Sequence, residues 1–195
     1  SVWAKHGEAT AILAGDALLT LAFSVLAGPA TDADANIRIA LIAGLAAASG
    51  AGGMAGGQML DLAAEKRTLG EDDIRTMQAL KTGALFRYAC EAGAILGRAG
   101  TEERERLARF GASLGLAFQI ADDLIDATGK AAKAPKATAK DAGRGKATLV
   151  ALHGVAGAQK MLGETVAEAV ALLTPFGTQA LLLAEAARFA GRREG

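Results

Sequence analysis

The sequence predicts an all-α protein, for two reasons. Residues that favour helix (Ala, Leu, Glu, Lys and Arg) dominate a composition that is 51% hydrophobic. Aromatic residues make up only 4%, and β-branched residues are scarce, so strands are disfavoured. The 25 glycines disfavour helix, but many of them lie at segment edges or in small-residue stretches where helices can pack closely. With 195 residues, the chain is long enough for a sizeable core, and we expect one helical domain over residues 1–195.

Breakers and caps delimit the helices in the first half of the chain. Gly28-Pro29 ends the first helix, and Thr31-Asp32 precedes the second. Glycines at 50–53 interrupt the second helix before a third resumes at Met54. The acidic residues at 71–73 suit the positive end of the next helix dipole. The predicted ranges are about Glu8–Leu26, 33–49, Met54–Lys66 and Glu71–Leu96.

The second half contains one long helix, a polar segment and the C-terminal helices. Thr101 is a good N-cap, and the helix that it opens is predicted to reach about Asp126. The segment from Gly129 to Lys146 is rich in Lys and Ala and is interpreted as a flexible loop. Helices are expected from about Thr148, with a break at Pro175. The last helix is predicted over Thr178–Ala190.

Composition excludes several classes of function. The 21 basic and 21 acidic residues balance, so the chain has no global basic field for nucleic acid. Its single cysteine, Cys90, excludes an internal disulfide, and two histidines make a Cys/His zinc site improbable. The N-terminus does not have the pattern of a signal peptide. These features suit a reducing cytoplasm.

Two stretches have the apolar character of membrane spans, Ala9–Ala27 and Ile37–Met54. The first carries Asp16 at its centre, and the second is weakly hydrophobic and begins beside Arg38. We interpret both as helices buried within a bundle and expect no membrane span.

The most informative segment lies at residues 118–126. At about 100° per residue, Gln119, Asp122, Asp123 and Asp126 share one arc of a helix that is otherwise apolar. Three carboxylates pointing the same way repel one another unless a cation lies among them, and carboxylate-only ligands suit Mg²⁺. The alternative is a solvated acidic helix end.

Three further groups of polar residues have candidate roles. The lysines of the predicted loop can neutralise a diphosphate or simply solubilise the loop; they are Lys130, Lys133, Lys136, Lys140 and Lys146. Lys81-Thr82, followed by Gly83, interrupts a helix, either as a functional pair or as an irregularity with a lysine extended towards solvent. Gln58 and Asp61 share a helix face and are equally compatible with a plain helix contact.

Together, these elements resemble the trans-polyprenyl diphosphate synthase family, and bacterial farnesyl diphosphate synthases in particular. The family's elements GQxxD, KTG, FQxxDDxxD, GKD and GKAT have counterparts here in the same order. They are Gly57–Asp61, Lys81–Gly83, Phe118–Asp126, Lys140-Asp141 and Gly145–Thr148. The resemblance implies an isoprenoid-synthase-type helical bundle around a central active-site cavity, and a homodimer.

The resemblance also implies roles for individual residues. Asp122 would bind Mg²⁺ directly, whereas Asp123 and Asp126 would act mostly through metal-bound water. Thr82 and Gln119 would face a developing carbocation. The residues implied in diphosphate binding are Lys81, Lys136, Lys140, Lys146 and Gln119, and those implied in shaping or supporting the site are Asp141, Gln58 and Asp61.

The implied reaction joins isopentenyl diphosphate to an allylic diphosphate, dimethylallyl or geranyl, by ionisation, condensation and elimination. Farnesyl diphosphate is the expected product. The alternatives are a geranyl or geranylgeranyl diphosphate synthase and a non-catalytic partner subunit that keeps the fold.

The chain departs from the family pattern in two informative ways. The family's first aspartate-rich motif would fall before Ser1, so we expect the chain to be the C-terminal two-thirds of a synthase. That motif would hold part of a set of two or three Mg²⁺ ions. Pro135 and Ala139 stand where the family usually has glycine before the loop lysines, which puts loop closure in doubt.

Overall fold

A computed structural model describes residues 1–64, 67, 69–133 and 148–192 of the chain. The described residues form α-helices, one π-helix and one 3₁₀-helix, with no strand among them, which confirms the all-α prediction. The α-helices are α1 (Val2–His6), α2 (Glu8–Ala27), α3 (Ala35–Ser49), α4 (Met54–Ala64), α5 (Glu71–Gln78), α6 (Ala84–Leu96), α7 (Thr101–Lys133), α8 (Leu149–Leu172) and α9 (Leu181–Gly191). The π-helix is Ala79–Gly83 and the 3₁₀-helix is Thr174–Ala180.

The chain divides into two compact units, Ser1–Ala46 and Ala47–Gly195. The first unit contains α1, α2 and most of α3. None of the 20 residues of α2 is buried, and Leu13 and Leu18 are each 67% exposed. The prediction that this helix lies buried in a bundle is therefore wrong for the described chain.

Two helical stretches are long and apolar enough to cross a membrane, judged by length and composition alone. They are Glu8–Ala27 and Ala35–Ala64, within the residues that the structure describes. Two further helical segments, Leu149–Leu172 and Thr174–Gly191, are bent by 88° relative to one another. Taken together as one broken span, they also meet the criterion of length and composition.

The second unit has a core built along α7 and α8. One cluster joins Ile74 of α5 to the C-terminal half of α7 and the N-terminal half of α8. A second cluster surrounds Phe110 of α7 with side chains from the C-terminal half of α8 and from α9. The 33-residue helix α7 therefore runs through both clusters and connects the two ends of the unit.

Helix α7 is longer than the sequence predicted. It continues past Asp126 and Gly129 to Lys133, so the loop does not begin at Gly129. A single helix-interior glycine costs only about 1 kcal/mol relative to alanine, and the Ala and Lys residues that follow favour helix. The rest of the predicted loop, residues 134–147, lies outside the described residues.

A polar contact joins the start of α5 to the second turn of α8. The Nε2 atom of His153 lies 2.9 Å from Oε2 of Glu71, just before α8 kinks at Gly154. Glu71 also accepts a hydrogen bond of 2.7 Å from Arg75, one turn along α5. Arg75 first, and His153 second, hold the pKa of the Glu71 carboxyl below its usual value.

We expect Phe110→Ala to lower the free energy of unfolding by about 3 to 5 kcal/mol, because it leaves a cavity in a close-packed cluster. Phe110 is 0% exposed. The matched control is Phe189→Ala, since that ring is 66% exposed. Chemical denaturation of both variants measures the difference. Equal losses for the two variants would contradict the assignment of Phe110 to the core.

We expect the contribution of Glu71 to stability to disappear in acid. Its folded pKa is lowered, so the stabilisation is present above the unfolded value of 4.5 and is lost as pH falls through the folded pKa. The melting temperature of Glu71→Gln should lie below that of the unsubstituted protein at about pH 6, and the gap should close by about pH 3.

The control for this pH dependence is Glu164→Gln. Glu164 forms an exposed pair with Lys160 at 3.8 Å, which should contribute little at either pH. A Glu71→Gln gap that is the same at both pH values would contradict the role assigned to the carboxylate.

Candidate active site

The candidate site begins at a π-helix within the helical stretch from Glu71 to Leu96. Residues Ala79–Gly83 form this wider turn, between α5 and α6. Such insertions weaken regular α-helical bonding and occur frequently at functional sites. The segment contains Lys81 and Thr82, so the irregularity that the sequence indicated at this pair is a single π-turn.

Helix α4 contacts the backbone of this π-turn directly at Gly57. A Cβ atom added at Gly57 would lie 2.6 Å from Cα of Lys81, closer than real Cβ atoms approach. Only glycine fits there without displacing one of the two backbones. One turn further along α4, the carboxylate of Asp61 lies 2.5 Å from Nζ of Lys81. Gln58 lies half-buried on the same helix, between these two residues.

Helix α7 packs closely against the π-turn at Gly115. A Cβ atom added at Gly115 would lie 2.9 Å from Cα of Gly83. This close approach brings the next turn of α7 beside Thr82, whose hydroxyl donates a 2.9 Å hydrogen bond to Oε1 of Gln119. The ring of Phe86 on α6 packs against the ring of Phe118 on α7, with their centroids 5.3 Å apart.

A chain of hydrogen bonds continues from Gln119 to Asp123. Nε2 of Gln119 donates to Oδ1 of Asp123 at 3.1 Å. The other carboxylate oxygen, Oδ2, accepts from Nε2 of Gln78 at 3.0 Å. The predicted site residues therefore form two separate sets of contacts. Lys81 pairs with Asp61, and Gln119 contacts both Thr82 and Asp123.

Sequence reasoning did not identify Gln78. The available signal was its position four residues after Ile74, on the face of α5 that Ile74 and Met77 make apolar. A polar side chain on such a face calls for a buried partner. The partner is 45 residues away, and periodicity within one helix contains no information about it.

The other two aspartates of the acidic cluster have a different environment. Asp122 and Asp126 are exposed, one turn apart on α7, whereas Asp123 is half-buried. Within the described ranges, no group of three or more His, Cys, Asp and Glu side chains is placed to hold a metal ion. Two exposed carboxylates at this spacing nevertheless suit a hard cation that keeps several waters and also binds phosphate oxygens. The metal-ligand roles of all three aspartates stay predictions.

Several predicted site residues lie outside the described residues. They are Lys136, Lys140, Asp141 and Lys146, together with Pro135 and Ala139. Their roles therefore also stay predictions.

Cys90 is not suited to nucleophilic catalysis. It lies half-buried on α6, and burial raises the pKa of its thiol to about 11. The thiolate is the reactive form, so at neutral pH this cysteine is an inert packing group.

Comparison with known proteins identifies the family. The family described as polyprenyl synthetase matches residues 1–172 of the chain. The chain belongs to the polyprenyl synthetase family. Farnesyl diphosphate synthase of Escherichia coli K12 is 42% identical over 183 residues, which are 91% of this chain and 60% of that protein. The chain also covers 53% of the corresponding enzyme of Geobacillus stearothermophilus, at 41% identity. It thus spans less than two thirds of the length of these relatives.

Solved structures agree with this assignment. The apo structure of an FPP/GFPP synthase from Zymomonas mobilis matches with a TM-score of 0.87 at 42% identity, over 97% of this chain and 64% of that one. A geranyltransferase of Helicobacter pylori, solved in complex with magnesium and isoprenyl diphosphate, matches with a TM-score of 0.78 at 30% identity, over 97% of this chain and 62% of that one. The predicted isoprenoid-synthase helical fold is therefore confirmed.

We expect Gly57→Ala to destabilise the protein by about 1 to 3 kcal/mol, because the new methyl group overlaps the backbone of the π-turn. The matched control is Gly163→Ala in α8, where an added Cβ meets no atom within 4 Å. There, alanine should stabilise the helix by up to about 1 kcal/mol. Thermal unfolding compares the two variants, and destabilisation of both to the same extent would refute the close approach at Gly57.

Proposed function

We propose that the protein is an Mg²⁺-dependent prenyltransferase that condenses isopentenyl diphosphate with dimethylallyl or geranyl diphosphate to give farnesyl diphosphate. The observation that supports this most directly is the hydrogen-bonded chain from Thr82 through Gln119 to Asp123. It joins the KTG element to the aspartate-rich element, beside the Asp61–Lys81 ion pair. Relatives at 37–42% identity that are named farnesyl diphosphate synthase support the same activity.

The described residues can perform the parts of an ionisation reaction that a protein must supply. Asp122 would hold Mg²⁺ directly and Asp126 would hold it through metal-bound water, and the ion would supply positive charge to neutralise the diphosphate leaving group. The rest of the metal set would be held by a further aspartate-rich motif, as the resemblance to the trans-polyprenyl diphosphate synthases implies.

Lys81 contributes a directed positive charge to the allylic diphosphate. Its ammonium group is held by Asp61, and about one third of the side chain is exposed. An ammonium that is already oriented stabilises a departing anion without reorganising at the moment of bond breaking. Asp61 on α4 supports that lysine, and Gln58, three residues earlier on the same helix, would support the site from α4.

Thr82 and Gln119 face the allylic cation. The hydroxyl proton of Thr82 is directed to Oε1 of Gln119, so the remaining oxygen lone pairs of both groups are available to a positive centre. The double bond of isopentenyl diphosphate then attacks the cation, forming the new carbon–carbon bond. A proton is lost from the resulting cation to the departed diphosphate.

We also propose that the protein works in the cytoplasm as a homodimer. In many proteins, a group of exposed apolar side chains marks an interaction surface. Helix α2 presents Leu13, Leu18 and Val25 at 57–67% exposure. A second copy would cover such side chains. Size-exclusion chromatography with light scattering of the full-length protein tests this proposal.

We expect the full-length protein to convert labelled isopentenyl diphosphate and an allylic diphosphate to a C15 product only when Mg²⁺ is present. The double variant Asp122→Asn/Asp126→Asn should lose at least about 100-fold in turnover, because it removes metal-binding charge from the leaving group. The matched control is Asp72→Asn/Asp73→Asn, which removes two exposed carboxylates from the start of α5.

The outcomes separate the alternatives. A C10 or C20 product would support the proposed reaction but contradict the proposed C15 chain length. Turnover without Mg²⁺, or equal losses in the two double variants, would overturn the proposed metal site. Absence of product from the unsubstituted protein, with a dimer still formed, would favour the non-catalytic partner subunit.

A further inference from the structure

Gln78 is the one polar side chain that is buried among the residues the structure describes. It is 4% exposed and lies beside Met77 and Ile74, which are 4% and 1% exposed. Its Nε2 atom donates to Asp123, but its Oε1 atom has no hydrogen-bond partner within the described part of the chain. Native structures rarely contain such an acceptor, and each instance calls for an explanation.

The chemistry of Asp123 explains the orientation of this amide. An ionised carboxylate only accepts hydrogen bonds, so both amides that contact it must present their NH₂ groups. Gln119 can do so at little cost, since its Oε1 then accepts from Thr82. Gln78 turns its donor to Oδ2 in the same way and leaves its own Oε1 buried and unpaired.

We propose that Gln78 is a positioning residue, which acts through Asp123 to fix the amide of Gln119. With Gln78 on Oδ2 and Gln119 on Oδ1, the carboxylate of Asp123 is held at both oxygens. Its plane determines where Nε2 of Gln119 lies, and therefore where Oε1 of Gln119 and the hydroxyl of Thr82 point. This inference rests on the proposed function, in which those two oxygens face the allylic cation.

A residue retained only for packing would be apolar at this position. Leucine has similar bulk and no unpaired acceptor, so Gln78→Leu removes the buried Oε1 atom together with the donor to Oδ2 of Asp123. Asp123 is half-buried, so water can replace the lost donor. If Gln78 serves only for packing, Gln78→Leu should leave turnover unchanged. If Gln78 positions Asp123, Gln78→Leu should lower turnover without lowering stability.

The test is a double-mutant cycle in the full-length protein. Gln78→Leu should lower kcat by roughly 10- to 100-fold, the usual effect of removing a group that orients a functional side chain. KM for both diphosphates should change by less than about threefold, because no contact to substrate is removed. The melting temperature should stay the same or rise.

Two further variants make the result specific. In an Asp123→Asn background, Gln78→Leu should change kcat by less than about twofold, because the residue through which Gln78 acts has already been altered. Met77→Leu is the matched control, equally buried on α5 and without a hydrogen-bond donor. It should retain kcat within about twofold.

The outcomes distinguish this inference from the function on which it rests. An active unsubstituted protein whose kcat is unchanged by Gln78→Leu overturns the inference alone, as does a loss of the same size in both backgrounds. A loss of kcat accompanied by an equal loss in Met77→Leu assigns Gln78 to packing and also overturns it. No product from the unsubstituted protein overturns the proposed function and this inference with it.

Discussion

The candidate site depends on the contact of three backbone segments at two glycines. Gly57 lets α4 touch the π-turn at Lys81, and Gly115 lets α7 touch the same turn at Gly83. No side chain separates the helices at these points, so polar groups one turn further along α4 and α7 meet Lys81 and Thr82 directly. A larger residue at Gly57 would move α4 away from Lys81, and one at Gly115 would move α7 away from Thr82.

The polar contacts form a sequence with a fixed hydrogen-bond direction. Asp123 accepts at both oxygens, so the amides of Gln78 and Gln119 must both present their NH₂ groups to it. The oxygen of Gln119 then accepts from the hydroxyl of Thr82 and fixes its direction. The geometry is therefore set before any substrate binds, and a site whose dipoles are already aligned need not reorganise during charge separation. Asp61 has the same effect on the ammonium of Lys81.

Much of this arrangement was accessible from the sequence. Composition and breakers predicted the all-α class, and the ends of α2, α3 and α6 lie within about two residues of their predicted places. The order of short motifs identified the family that the comparison confirmed. Within the described residues, α2 is not buried as predicted, because an apolar sequence indicates a tendency to be covered, whereas burial needs neighbouring side chains. The extension of α7 to Lys133 was missed because one glycine was given too much weight.

The sequence by itself determined the helices, the family and the residue types of the site, since these follow from local propensity, periodicity and motif spacing. Only the tertiary structure decided the partners: Asp61 with Lys81, Thr82 with Gln119 and Gln78 with Asp123. These pairs lie 20, 37 and 45 residues apart. A helix pattern specifies which face a side chain occupies, but the residue opposite depends on how closely two helices pack, and here glycines set that distance.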